Sequence, residues 1–247
     1  MRIPLRVMLA VFLRSLFIQA AWNFKGMQNI GFSFALAPGL THVLGENASR
    51  GIERSLSFFN TQPYMAPTIM GVYLHLYERG EETSIPKIGP SLSGSLAALG
   101  DTFFWATLKP IMALLLIVCV VTGAPWCALA VLVGYNAVHV WIMAWGFSQG
   151  YSKGMEGALA VGRAISINRT GRISLGIPFL CGVVLFLAAV RLAPPDIPGV
   201  PHVGHTPPGV LGGILFIAAF ALARAGARIY WFVYGVFALS VIWTMLK

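Results

Sequence analysis

Two short strings carry the side chains with chemistry to offer. The first is Asn60-Thr61-Gln62, set between Phe58-Phe59 and Pro63-Tyr64. Amides and a hydroxyl between aromatics suit a hydroxyl-rich ligand, and they equally suit ordinary turn chemistry, in which Asn and Thr satisfy local backbone. The second is GDTFFWATLKPIMALLLIVCVV, Gly100 to Val121, where Asp101, Trp105 and Lys109 precede an unbroken apolar run, Ile111 to Val121. That run is too short for a span of about 20 residues. Reaching back to Asp101 supplies the length and takes Asp101 and Lys109 toward the bilayer. Pro110 has no N–H and clashes with the carbonyl four residues earlier, so a kink or break is expected beside Lys109. A broken helix with ionisable groups at its break is a common way for transporters to build substrate sites. The alternative is an interfacial helix over Asp101 to Lys109 followed by a short re-entrant piece.

The elements that position these strings belong to a membrane protein. The chain is 57% hydrophobic and 10% charged, with mean hydropathy +0.76, against about 25% charged for soluble domains. Its net charge of +9 is spread between apolar segments, as the cytoplasmic-side bias of basic residues predicts, and implies no nucleic acid. The expected fold is all-α and membrane-integral. Amphipathic, interfacial helices come first, then the broken or re-entrant region, then about three to four further transmembrane helices.

Four segments follow. Residues 1–95 form an N-terminal amphipathic and polar-motif region at the cytoplasmic face. Arg2, Arg6 and Arg14 share one arc of a helix, which suits a helix lying among headgroups better than a cleaved signal. A second amphipathic helix is expected from Glu46 to Phe59, with Ile52, Leu56 and Phe59 on its apolar side. Pro63 and Pro67 bias Gln62 and Ala66 toward extended backbone. Residues 96–146 hold the broken helix and a span, Trp126 to Trp145, that carries Asn136 and His139. Residues 147–172 read as a basic cytoplasmic loop, with Lys153, Arg163, Arg169 and Arg172 against Glu156. Residues 173–247 supply spans at Ile173–Leu192, Gly209–Ala223 and Ile229–Leu246. An outer loop, Pro194 to Pro208, contains His202 and His205, and the C-terminus is external. Cys119, Cys127 and Cys181 sit in apolar runs and read as small buried hydrophobes, with no disulfide or metal site implied. No phosphate-binding Gly-rich loop, metal motif or nucleophile–base set is visible, so neither catalytic residues nor a cofactor is expected.

Longer strings carry a resemblance. Phe12-Leu-Arg-Ser15, Gln19-Ala-Ala-Trp-Asn-Phe24, Met27-Gln-Asn-Ile-Gly-Phe32, Phe58-Phe-Asn-Thr-Gln-Pro-Tyr64, Gly100 to Ile111 and Gly150-Tyr-Ser-Lys-Gly154 resemble the signature blocks of one family. It is the IID membrane subunit of the mannose/fructose/sorbose-type sugar phosphotransferase system. The resemblance implies a multi-pass subunit of the bacterial inner membrane, N-terminus cytoplasmic. With a IIC subunit it would form a permease for a mannose-type hexose or amino sugar, assembled as a trimer of IIC–IID pairs. Partner IIA and IIB units, fed through the carrier HPr, would phosphorylate the sugar. Carried over by position, Asn60, Thr61, Gln62, Asp101, Trp105 and Lys109 become candidates for the sugar site or its support. Lys109 replaces a usual Arg, weakening any two-pronged carboxylate clamp to a point charge. Ser91 to Ala98 departs from the family's usual Gly- and Pro-containing turn, most visibly at Ser95 and Ala98. The competing reading is a membrane scaffold or sensor that keeps the fold and recruits phosphotransferase components without transport.

Overall fold

A computed structural model describes residues 3–191, 217–218 and 221. The described chain is helical and contains no strand beyond two isolated backbone bridges, Asn23 with Met27 and Met27 with Phe59. Ten α-helices follow in order: α1 Leu5–Ser15, α2 Asn29–Leu44, α3 Ala48–Ser55, α4 Ala66–Glu78, α5 Ile85–Gly100, α6 Lys109–Val121, α7 Pro125–Lys153, α8 Met155–Ala164, α9 Ile167–Ser174 and α10 Gly176–Arg191. Among the described residues, two helical runs are long and apolar enough to cross a membrane, Glu82–Val121 and Pro125–Lys153. The expected outer loop with His202 and His205, the spans at Gly209–Ala223 and Ile229–Leu246, and the external C-terminus lie outside the described residues.

The helices form two compact units. The first draws on Met1–Ala106 and Tyr135–Thr170, the second on Thr107–Gly134 and Gly171–Lys247. The first has α4 as its core: Ile69, Met70, Val72 and Leu74 are fully buried, joined by Leu36 and Leu40 of α2. Burial on all sides explains why α4 has no clean polar stripe. It crosses α7 at backbone contact. A β-carbon on Gly150 would overlap the Thr68 carbonyl oxygen, and one on Gly71 would overlap that of Phe147. Small residues four apart, Gly146 and Gly150, are what lets two helices approach so closely. The chain start is fastened to the same crossing. Glu78 Oε1 accepts from the Ile3 amide at 2.8 Å and from the Tyr151 hydroxyl at 2.9 Å, and His75 Nδ1 lies 2.8 Å from the Tyr151 carbonyl.

In the second unit, α10 packs along α6, with the Cα side of Gly176 facing Ile111. Its turn at Thr122 to Ala124 brings Cys119 and Cys127 together as a disulfide with Cα atoms 5.7 Å apart, while Cys181 is free. This corrects the expectation of three unlinked thiols. A helical hairpin places residues on either side of its turn within bonding range, which spacing in the sequence alone does not reveal.

Several boundaries also differ from expectation. Gly100 to Val121 does not break at Pro110: Asp101–Leu108 is π-helical and the helix continues. The wider turn gives room where Pro110 supplies no N–H and would crowd a carbonyl. Ser91 to Ala98 is not a turn but part of α5. The basic stretch after Gly146 is mostly helical, with α7 running to Lys153 and ending at Gly154, φ 56°. The second amphipathic helix is shorter than Glu46–Phe59, and its buried line is Ala48, Gly51 and Ser55, with Leu56 exposed. Ala66 is helical rather than extended, because Pro67 falls in the first turn of α4, where its missing N–H costs nothing.

Two measurements check this arrangement. Gly150→Val forces a branched side chain into the α4 backbone, and we expect destabilisation of at least about 1–3 kcal/mol, read as a lower unfolding midpoint of the detergent-solubilised complex. Gly134→Ala, which meets open space inside α7, should leave that midpoint unchanged or raise it slightly, alanine being the better helix former. Non-reducing peptide mass spectrometry should recover Cys119 and Cys127 linked and Cys181 alkylated; alkylation of all three would contradict the pairing.

Candidate functional site

The Asn60–Tyr64 corner is held from below by one side chain. Gln28 is buried, and its Nε2 donates to the Thr61 carbonyl at 2.8 Å while its Oε1 accepts from the Thr61 amide at 3.1 Å. Its own backbone N–H donates to the Phe59 carbonyl at 2.9 Å. A side-chain amide thus pairs with a peptide group as a neighbouring strand would, which satisfies irregular backbone in an apolar setting. Phe59 stacks on Phe32 with ring centroids 3.8 Å apart. The Thr61 hydroxyl donates to the Ser93 carbonyl of α5 at 3.0 Å.

Gln62 caps the turn that follows. Its backbone is extended, as Pro63 requires, and its Oε1 accepts from the amides of Tyr64 at 2.7 Å and Met65 at 3.2 Å. Its Nε2 is buried and has no hydrogen-bond partner among the described residues. A buried amide with a spare donor is uncommon enough to mark a place where something else binds. Gly100 lies directly on this residue: a β-carbon there would come within 2.7 Å of Gln62 Cβ and 2.8 Å of Met65 Cγ. The glycine is what allows the end of α5 to rest on the corner.

The six candidate residues therefore part company. Thr61 and Gln62 are buried and hold the corner's shape. Asn60 is exposed and lines a cavity of about 1140 Å³ together with Glu53, Arg54, Tyr73, Glu82 and Ser93. Burial, with a smaller contribution from Tyr77, pushes the Tyr73 hydroxyl up to about 12, so it stays a neutral donor. Asp101 and Trp105 are exposed on the π-helical segment and do not line that cavity. Lys109 opens α6, in the second unit.

A group of rings escaped the sequence reading. Tyr64 stacks on His139 of α7 with centroids 4.5 Å apart and an interplanar angle of 15°, and it meets Phe104 edge-on at 4.9 Å. Tyr135, one turn before His139, is 5.4 Å from it. The four-residue spacing of Tyr135 and His139 was the available signal, since such pairs share a helix face; their partner across the fold was not in the sequence. Together the corner offers amides, hydroxyls, a carboxylate and aromatic faces, a set that recognises polar, ring-shaped ligands. Among the described residues no group of three or more His, Cys, Asp or Glu side chains is placed to hold a metal ion.

Known proteins share this chain over most of its length. The family model described as the PTS system mannose/fructose/sorbose family IID component matches residues 3–186. The PTS system mannose-specific EIID component of Escherichia coli (strain K12) is 30% identical over 255 residues, which cover 94% of this chain and 89% of that relative. The fructose permease IID component of Bacillus subtilis (strain 168) is 30% identical over 165 residues, covering 63% of this chain and 59% of that one. A structure of the mannose transporter ManYZ in complex with microcin E492 is similar with a TM-score of 0.59 and 27% identity, covering 100% of this chain and 98% of that one. With aromatic strings, helical fold and family match in agreement, the chain belongs to the IID components of the mannose/fructose/sorbose PTS family, membrane subunits of sugar transporters.

Proposed function

We propose that this chain pairs with a IIC subunit to form the translocation unit for a mannose-type hexose or amino sugar, which partner IIA and IIB units phosphorylate on the cytoplasmic side. The observation that carries the site assignment is the spare Gln62 Nε2 donor, buried at a corner where the Thr61 peptide and hydroxyl are engaged locally. In this reading Asn60 and Gln62 hydrogen-bond sugar hydroxyls at the corner, while Asp101 and Trp105, which lie outside its cavity, offer a carboxylate and an aromatic face at a separate point of the sugar's path. Thr61 holds the loop, and Lys109 supplies positive charge eight residues along the chain from Asp101. The chain contributes binding and movement, while phosphoryl transfer belongs to the partners. IIC–IID pairs assemble further, in the simplest case as trimers of pairs.

The same reading seats the chain in the inner membrane with its N-terminus cytoplasmic. On α1, Leu5, Leu9 and Leu13 form an exposed row one turn apart, with Arg6 beside them. That pattern suits a helix lying in the headgroup region, leucines toward acyl chains.

The test is phosphoenolpyruvate-dependent uptake of labelled hexoses by vesicles holding this chain, its IIC partner and the soluble carriers. Asp101→Asn should reduce uptake roughly 10- to 100-fold, the loss expected for a charged hydrogen bond. Asn60→Ala should cost roughly 2- to 10-fold. Both variants should still co-purify with IIC. A stable complex with no uptake of any hexose would instead favour the scaffold or sensor reading.

A further inference from the structure

Away from the sugar corner, a second concavity of about 550 Å³ runs between α5 and the α8–α9 segment. One wall is Leu92, Ser95, Leu96 and Leu99, successive positions on a single face of α5. The opposite wall is Ala158, Leu159, Gly162 and Arg163 of α8, continued by Ser166, Ile167 and Asn168 at the junction with α9. The groove is therefore apolar along the helices and polar at the junction. The side chains of Arg163, Ser166 and Asn168 have no hydrogen bond or ion pair among the described residues. Lys153, Arg163 and Arg169 are exposed in this part of the first unit, against one acid, Glu156.

We infer that this groove binds an anionic phospholipid, with an acyl chain along Leu92, Leu96, Leu99 and Leu159 and the phosphate at Arg163, Ser166 and Asn168. Three features select this occupant. The α5 wall belongs to the membrane-length helix Glu82–Val121, and α8 begins directly after the second such helix, Pro125–Lys153, so the groove adjoins both. The excess of positive charge selects an anionic headgroup over a zwitterionic one, as basic pockets between membrane helices do. The run of leucines rejects a sugar or a free phosphate, which would leave that wall unfilled. The phosphate ester offers acceptors for the Arg163 guanidinium, the Ser166 hydroxyl and the Asn168 amide, and no covalent step is involved.

The experiment uses this chain with its IIC partner in phosphatidylcholine nanodiscs, doped with photoactivatable phosphatidylglycerol or photoactivatable phosphatidylcholine. Adducts are mapped by peptide mass spectrometry. Phosphatidylglycerol should label residues 92–99 and 158–168 well above phosphatidylcholine, and Arg163→Gln should lower that labelling roughly fivefold, the effect of one basic residue near a lipid headgroup. Gly162→Leu should abolish it, because even a β-carbon there lies 3.3 Å from Leu99 Cδ1 and a leucine fills the groove. Unchanged unfolding midpoints of the complex mark both variants as folded, and Arg163→Gln, on an exposed side chain, carries the test if Gly162→Leu does not assemble. Equal labelling by the two lipids, no adduct in the groove, or undiminished labelling in Arg163→Gln would overturn the proposal. Loss of labelling on adding inorganic phosphate would overturn it too, in favour of a small-anion site.

Discussion

The backbone crossing of α4 and α7 is the constraint on which the rest of the first unit depends. Without Gly71 and Gly150 the helices would stand apart by the width of a side chain, and the residues at their ends would move with them. The Gln62 cap lies immediately before α4, and Tyr64 reaches His139 on α7. Tyr151, the residue after Gly150, ties α7 to Glu78 at the other end of α4. A single close contact in mid-helix thus fixes two polar assemblies at opposite ends of one buried helix.

The Asn60–Tyr64 corner shows how irregular backbone is held among buried neighbours. Asn60 to Gln62 is neither helix nor strand, yet both Thr61 peptide groups are paired by the Gln28 amide and the Gln62 carbonyl accepts from Met65. Below it the π-helical Asp101–Leu108 turns widen the helix and hold Phe103 and Phe104 inward while Asp101 and Trp105 remain outside. Widened turns of this kind often lie at functional sites. Here the feature couples to Pro110 at one end and to Gly100, resting on Gln62, at the other.

Much of this was legible in the sequence, and the pattern of what was not is physical. Proline effects at Gln62 and Pro110 were readable because they act locally, although Pro110 produced a widened helix rather than a break. The membrane character and all-helical class follow from composition. The family followed from long aromatic strings, which carry far more information than any spacing of single residues. What escaped was pairing across the fold. Tyr64 with His139, Gln28 with Thr61, and Cys119 with Cys127 each depend on which helices lie side by side. The faces of α3 were misread because Ala48, Gly51 and Ser55, its buried line, are small rather than strongly apolar. Small residues buried for close approach look unremarkable to a hydrophobicity pattern. Of the candidate residues, Thr61 and Gln62 proved to be architecture first, since a motif does not say which of its members face inward.

The bond between the Ile3 amide and Glu78, shared with the Tyr151 hydroxyl across a separation of 148 residues, bears on the order of assembly. The first unit is interrupted in sequence by Thr107–Gly134, which belongs to the second. During synthesis, α1 and α4 emerge well before the segment of α7 that completes their unit. Until Gly150 and Tyr151 follow, Glu78 lacks one of its two donors and α4 lacks the neighbour that covers its backbone. The tie at Ile3 is therefore complete only once Tyr151 has been made, whereas the packing of α1 along α2 needs no later segment.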